Sequence, residues 1–559
     1  MPAAAPASAP ANPWSALQQR QFRAIWFALL ASNIGTWFHT VGAAWQMTEL
    51  SGNPAMVAAV QAMTTLPMFF FALPAGALAD IVDRRKMLMV SEGALLICAA
   101  LCAVAALAQV MTPGLLLALT FGLGVGAAFG TPAWQAIVPE VSGRENLSSA
   151  IALQGIGINL ARAIGPAVAG AVVAAAGPGI AYGINALSFV FTVVTMARWR
   201  RAVEPSVLPP ERFGAAIRTA VGYVRNSPEF IAILLRGACF IFPASALWAL
   251  LPLVTKDLLN LPAWGLGAAL GVVGIGALGC AALLPQLRQG WGERGSLLVF
   301  AGMYAAALLV AGLGSAAWIT GPLITALILG LLAAGAGWMA NMVILNSTAQ
   351  GAIPAWVRAR AMSVYVVVFL GGQALGSFAW GAVATGVGVG HAMLIAAGLQ
   401  AALALVAWRL ALPAGAPDRH DPTRHWPDPG SPARDLRQDP ATMVVIHYQV
   451  PIKNEPEFRR LMGELRRQRL RDGAHRWSLF THYDSAGRWT EVFEIESWTA
   501  HLRQHDRVNK TSAEIESSIQ SLLIGSREVH HLLAEAPGRG TVPGENLANA
   551  EENVAQRDP

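Results

Sequence analysis

The chain is a succession of long apolar runs broken by short turn sequences, and the length of the runs decides what they are. No Asp, Glu, Lys or Arg occurs from Gly93 to Pro139, from Gly295 to Val357 or from Ala361 to Trp408. A helix needs roughly 20 apolar residues to cross a hydrocarbon core, so each run holds at least two membrane spans. Turn signals divide them. Ser51-Gly52-Asn53-Pro54 separates a span at about 24–48 from one at 55–79, and Thr112-Pro113-Gly114 separates 88–110 from 115–137. Gly177-Pro178-Gly179 separates 148–174 from 180–197. Beyond a polar connector the pattern predicts spans at about 231–254, 263–286, 296–316, 322–345, 361–384 and 391–409. The last two are joined by a Gly-Val-Gly-Val-Gly stretch.

Charge then orients the spans. Arg20, Arg23, Arg84, Arg85, Lys86, Arg144, six arginines between 198 and 225, Arg288, Arg294, Arg358, Arg360 and Arg409 fall in alternate loops. The intervening loops hold one basic residue, Lys256. Cytoplasmic loops carry the excess of Lys and Arg, so the pattern predicts an even number of spans, twelve, with both termini cytoplasmic. Composition agrees: 54% of the 559 residues are apolar and 13% charged, against roughly a quarter charged in soluble domains. The net charge of +6 is spread over short loops and makes no nucleic-acid patch. Cys98, Cys102, Cys239 and Cys280 all fall inside spans and read as small buried residues, not as a disulfide framework or metal ligands.

The halves look like copies. Gln135-Ala-Ile-Val-Pro139 before the fifth span resembles Gln350-Gly-Ala-Ile-Pro354 before the eleventh, and each is followed by arginine. Repeats of six spans joined by a basic connector predict two bundles facing each other across a midplane site.

Family resemblance enters at the end of the second span. Gly76-Ala-Leu-Ala-Asp80-Ile-Val-Asp83-Arg84-Arg85-Lys86 resembles the G-x-x-x-D-[RK]-x-G-[RK]-[RK] signature of the major facilitator superfamily, with Ile81 and Asp83 departing from it. The resemblance implies a conformational latch built on Gly76, Asp80, Asp83, Arg84 and Arg85. In the fifth span, Gly155, Gly165, Pro166 and Gly170 resemble the Gly-Pro packing motif of exporters in that superfamily, with the glycine-rich eighth span as the implied partner. Thr131-Pro-Ala-Trp-Gln-Ala-Ile-Val-Pro-Glu140 and Asn159-Leu-Ala-Arg162-Ala-Ile-Gly-Pro166 resemble the subgroup of enterobactin-type siderophore exporters and transmembrane secretion effectors, over about residues 20–410.

Charges inside hydrocarbon are costly and need a reason. Arg162 lies about four turns into its helix and is expected to contact substrate or take part in coupling. Arg236 can snorkel. Glu92 is the main acid within a span, a candidate proton carrier whose rival role is pairing with Arg162. Asn33, His39, Asn159, Asn341 and Gln373 are candidate substrate contacts beside Arg162, although Asn33 and His39 do not share one helix face cleanly.

After 412–440, a Pro-, Asp- and Arg-rich linker, the period changes. Met443–Val450, Trp477–Tyr483, Trp489–Ile495 and Glu528–Leu533 read as strands, with helices at Glu455–Arg471, about 498–505 and about 511–523. That order predicts an α+β ferredoxin-like module. Glu494-Ile-Glu-Ser-Trp498-Thr-Ala-His501-Leu-Arg-Gln-His505 resembles the antibiotic-biosynthesis-monooxygenase-like dimeric α/β-barrel domains, which implies a pocket faced by Trp477, Trp498, His501 and His505, and dimerisation through the domain.

The whole is therefore expected to be an all-α membrane protein of two six-helix pseudo-repeats with a C-terminal ferredoxin-like domain. Its parts are a disordered tail (1–20), a bundle (21–200), a cytoplasmic connector (201–229), a second bundle (230–411), the linker (412–440), the α/β domain (441–534) and a disordered tail (535–559). The expected function is export of a drug, siderophore or other small amphiphile across the inner (plasma) membrane by alternating access, coupled to protons. No catalytic residue, cofactor, metal or nucleic-acid partner is expected. The alternative is a membrane-anchored enzyme or sensor whose C-terminal domain carries the activity.

Overall fold

The computed structural model describes residues 14–199, 221–314, 321–354, 356–410 and 439–534 except 506 and 507, together with 412, 423 and 426. Most of the expected linker and connector, residues 1–13 of the first tail and the whole of the second lie outside the described residues; Ser15–Gln18, expected within the disordered first tail, forms a short 3-10 helix with Ala16 buried. The chain divides into two compact units, Met1–Ile217 with Pro228–Gly415, and Arg218–Ser227 with Ala416–Pro559.

The first unit is helical. Its helices are α1 (Arg20–Leu50), α2 (Pro54–Ile81), α3 (Arg84–Leu107), α4 (Pro113–Arg198), α5 (Pro228–Leu253), α6 (Ala263–Leu313), α7 (Gly321–Gly351), α8 (Arg358–Val387) and α9 (Val389–Arg409). The turn chemistry explains several starts. Asn53 caps α2 by accepting from the Ala55 amide at 2.9 Å, with Pro54 as first helical residue. Thr112 does the same for α4, ahead of Pro113. Asp83, a departure from the superfamily signature, caps α3 through the Lys86 amide at 3.0 Å.

Among the described residues, nine helical segments are long and apolar enough to cross a membrane, so this is an integral membrane protein. Two of the nine, Asn146–Arg198 and Ala263–Leu313, have 53 and 51 residues. Each contains a glycine in the left-handed region, Gly177 at φ 80° and Gly292 at φ 66°. Only a residue without Cβ takes that backbone readily, and each marks where the sequence predicts a break between spans. α1 has 31 residues but is not among the nine. Asn33, Thr36, His39, Thr40 and Gln46 interrupt its apolar character.

The fold of this unit rests on close pairing. α1 and α3 pack on α4, and α7 and α9 pack on α6; α2 meets α8 and α4 meets α6 across the two halves.

The second unit contains one sheet. Its elements are β1 (Thr442–Gln449), α10 (Glu455–Arg471), β2 (Arg476–Thr481), β3 (Arg488–Ile495), α11 (Trp498–His505), α12 (Lys510–Ser521) and β4 (Glu528–Leu533). Strand order is β2-β3-β1-β4, all neighbours antiparallel. Register aligns Val444 with Phe493 on one side and His531 on the other. α10 buries Phe458, Leu461, Met462 and Leu465, the i, i+3, i+4, i+7 stripe of an amphipathic helix. Residues Arg218–Ser227, read from sequence as connector, belong to this unit, where the Arg471 guanidinium lies 5.6 Å from the centre of the buried Tyr223 ring.

Candidate functional site

Between the two halves of the helical unit lies a cavity of about 300 Å³, large enough for a small organic molecule. Asn33 and Trp37 of α1, Gln61 and Thr64 of α2, Arg162 of α4, Trp248 of α5, Trp338 of α7 and Gln373 of α8 line it. Arg162 is its charged residue, and among the described residues it makes no ion pair or hydrogen bond. The arrangement offers one cation, several neutral hydrogen-bonding groups and broad indole faces.

The structure divides the six expected contact residues. Asn33, Arg162 and Gln373 share the cavity. His39 does not: its Nε2 sits 3.3 Å from Thr120 Oγ1, its ring packs 5.3 Å from Tyr182, and it borders a separate space of about 30 Å³. Six residues advance a helix by about 600°, which turns His39 away from the face that carries Asn33. Asn159 is absent from the cavity wall and donates to Gly155 O at 2.9 Å within its own helix. Asn341 donates to Gly337 O and lines a small space of about 20 Å³ with Arg236 and Gln400. Gln61, Thr64 and the three tryptophans were not singled out from sequence. Gln61 and Thr64, three apart on α2, form a polar face that helical spacing could have revealed.

Glu92 is 3% exposed and lies away from this cavity. Its Oε1 accepts from Trp134 Nε1 at 2.8 Å, and Oε2 has no hydrogen-bond partner. The pairing with Arg162 weighed from sequence is not formed among the described residues. Arg236 is buried and donates to the carbonyls of Trp408 and Leu410 at the end of α9, a cation satisfying orphan helix-end oxygens.

The glycine motif of α4 serves two partners. A Cβ on Gly170 would lie 2.7 Å from Gly267 Cα, and one on Gly274 would lie 2.9 Å from Arg162 O. A Cβ on Gly165 would meet Trp37 instead, and one on Gly155 would meet open space. Pro166 contributes its carbonyl to the Gly267 contact.

At the end of the bundle with the basic loops, Arg84 pairs with Glu140 at 2.5 Å, and Arg85 donates to Met196 O and Ala197 O at 3.0 and 2.6 Å. These contacts stay within the first half. Arg288 and Glu293 pair within the second half, where Thr348 also donates to Glu293. A Cβ on Gly76 would meet nothing within 4 Å, and the Asp80 side chain lies outside the described residues. Two bonds join the halves at the opposite end: Lys256 Nζ donates to Thr48 O at 2.5 Å and Thr385 Oγ1 to Asn53 Oδ1 at 3.0 Å.

The sequence profile of the transmembrane secretion effector family matches residues 11–537. The chain belongs to that family. The match runs past the helical unit and through the C-terminal sheet, further than the stretch of about 20–410 on which the resemblance was read. The staphyloferrin A transporter of Staphylococcus aureus (strain NCTC 8325 / PS 47) is 22% identical over 255 residues, 45% of this chain and 64% of that protein. The enterobactin exporter EntS of Salmonella typhimurium is 28% identical over 268 residues, 46% of this chain and 64% of that protein. The chain thus spans 64% of the length of each relative. The nucleoside transporter NupG aligns in structure with a TM-score of 0.53 at 15% identity, covering 70% of this chain and 99% of that one. That likeness is one of fold.

In the C-terminal unit, the four expected pocket residues separate. Trp498, His501 and His505 share one face of α11, and His531 of β4 joins them: the His501 ring lies 4.8 Å from both His505 and His531 and 5.5 Å from Trp498. Burial, then the neighbouring His505 and His531, push His501 down to about 4. Trp477 is elsewhere, because β2 and β4 are opposite edges of the sheet, roughly 14 Å apart at ordinary strand spacing. Its indole donates to Glu491 Oε1 at 2.8 Å. Glu491 also accepts from Tyr448 and pairs with Arg469, which pairs in turn with Glu516 at 3.0 Å. Burial pulls Arg469 down, but Glu491 and Glu516 outweigh it and hold the guanidinium above its ordinary value.

Proposed function

We propose that this chain is a secondary-active exporter of small amphiphiles, siderophores or drugs, working by alternating access in the inner (plasma) membrane. The observation that carries the reading is the cavity between the halves, with Arg162 as its charged group beside Asn33, Gln373 and indole faces. A cation without a protein partner on the wall of a cavity suits an anionic or strongly polar substrate group. The relatives named for siderophores support that substrate class.

In this reading the helices make twelve spans: α1, the nine apolar segments, and the two extra spans created by the breaks at Gly177 and Gly292. They form two six-helix pseudo-repeats with both termini cytoplasmic. The basic loops supply the orientation, and the bonds joining Thr48 to Lys256 and Asn53 to Thr385 close the outer end. Arg84 and Arg85, with Asp83, act as a latch at the inner end. Glu92 is the candidate proton carrier, with Arg162 its partner in coupling through the alternate state. The C-terminal domain is read as a ferredoxin-like, monooxygenase-like module with a regulatory or dimerising role, and no catalytic step is assigned to it.

The test compares siderophore and drug efflux from cells with and without the chain, then repeats it in proteoliposomes under an imposed pH gradient. Gradient-dependent efflux that survives deletion of 441–559 is the expected result. No efflux difference for any compound would remove the exporter reading. Efflux indifferent to the gradient would remove Glu92 as proton carrier. Loss of activity only on deletion would favour the anchored-enzyme alternative.

A further inference from the structure

We propose that His501, His505 and His531 form a binding site for a divalent transition-metal ion of borderline softness, represented by Zn²⁺, where α11 meets β4. One ring nitrogen from each residue lies within 4.8 Å of the others, and His501 Nε2 and His505 Nε2 are 3.3 Å apart. Nitrogen ligands about 2.0–2.1 Å from a tetrahedral ion stand roughly 3.4 Å from one another. The α11 pair is thus already at ligand spacing, and His531 needs only a small side-chain shift.

The local fold explains why the rings converge. His501 and His505 are four apart on a helix, the spacing that puts two imidazoles on one face toward one ion. His531 pairs with Val444 in register, and Val444 is a core residue, so His531 points to the helix-covered face of the sheet. Gln504 contacts the other ring nitrogen of His501. Its Oε1 lies 3.3 Å from His501 Nδ1, and in the tautomer with the hydrogen on Nδ1 that bond leaves the Nε2 lone pair facing His505. Metal-binding histidines are commonly oriented by such a bond from the other ring nitrogen.

The surroundings favour a dication. Trp498 packs edge-on 5.8 Å from His531, and His501 is buried. The nearest buried cation, Arg469, is already matched by Glu491 and Glu516. Three imidazoles with no carboxylate select Zn²⁺, Cu²⁺ or Ni²⁺ over Mg²⁺ or Ca²⁺. Three protein ligands leave a fourth position for water or a small ligand.

The experiment uses the full chain in detergent, purified on a tag without histidine. Zn²⁺ is titrated by calorimetry and Co²⁺ by visible absorption. One ion per chain with a tetrahedral Co²⁺ spectrum is expected. His505→Ala and His531→Ala, at half-buried rings, should each weaken Zn²⁺ binding roughly 100-fold or more, and Gln504→Ala about 10- to 100-fold. His447→Ala, on the opposite face of the sheet beside His530, should bind as the parent does. Circular dichroism confirms that each variant is folded. Parent-like Zn²⁺ binding by folded His505→Ala and His531→Ala, or no binding by the parent, overturns the proposal.

Discussion

Two arginines in this chain have opposite surroundings. Arg469, in the C-terminal domain, is enclosed by Glu491, Glu516 and the Trp426 ring, whose centre lies 4.7 Å from its guanidinium. Arg162, in the helical unit, faces a cavity and has no protein partner among the described residues. Burying a charge is costly unless it is paired. Where a protein pairs the charge fully, the residue holds structure together; where it leaves the charge facing a cavity, a ligand can complete it. The same residue type is a strut in one unit and a candidate hand in the other.

The largest expected effect tests the strut. Arg469→Met leaves two carboxylates buried without their cation, and breaking such a pair costs about 3–5 kcal/mol. Thermal unfolding followed by tryptophan fluorescence should show the C-terminal domain melting earlier, since Trp426 and Trp477 both touch this network. Efflux by the folded protein should persist. If Arg469→Met leaves melting unchanged, the network is not structural and the contrast fails.

Next comes the hand. A hydrogen bond to a charged group contributes about 1.5–3 kcal/mol, so Arg162→Ala should lower efflux roughly tenfold to a hundredfold, with Arg162→Lys recovering part of it. The stability of the helical unit should barely change, because no bond is lost. Parent-like efflux by Arg162→Ala would make this arginine a bystander. A large drop in stability would make it a second strut.

How much of this could be read from the residues follows the same division. Segments governed by local physics were legible: apolar runs of span length, the turns at Ser51–Pro54 and Thr112–Gly114, where Asn53 and Thr112 cap the following helices, and the amphipathic stripe of α10. The rotation of each helix about its axis was not, since packing sets it. That is why Asn33 and Gln373 border the cavity with Arg162 while His39, Asn159 and Asn341 do not. Partners distant in sequence were missed for a related reason. Glu140 stands 56 residues from Arg84, and His531 arrives from an edge strand whose place depends on the whole sheet. Trp498, His501 and His505 were reached through the resemblance to the α/β-barrel domains; the third histidine was not.

The smallest effect concerns the Arg84–Glu140 pair, which lies between the two extremes. Its side chains are 29% and 25% exposed, so solvent screens them and the pair is worth about 0.2–1 kcal/mol. Arg84→Ala should therefore leave stability almost untouched. If the pair holds one conformation, however, even this energy shifts a balanced two-state equilibrium by up to about fivefold. Arg84→Glu should disturb transport through repulsion with Glu140, and adding Glu140→Arg should restore it. Accessibility of a cysteine placed in the cavity to a thiol reagent reads the shift directly. Equal accessibility in the parent, Arg84→Glu and the double exchange would leave the pair as a surface contact, neither strut nor hand.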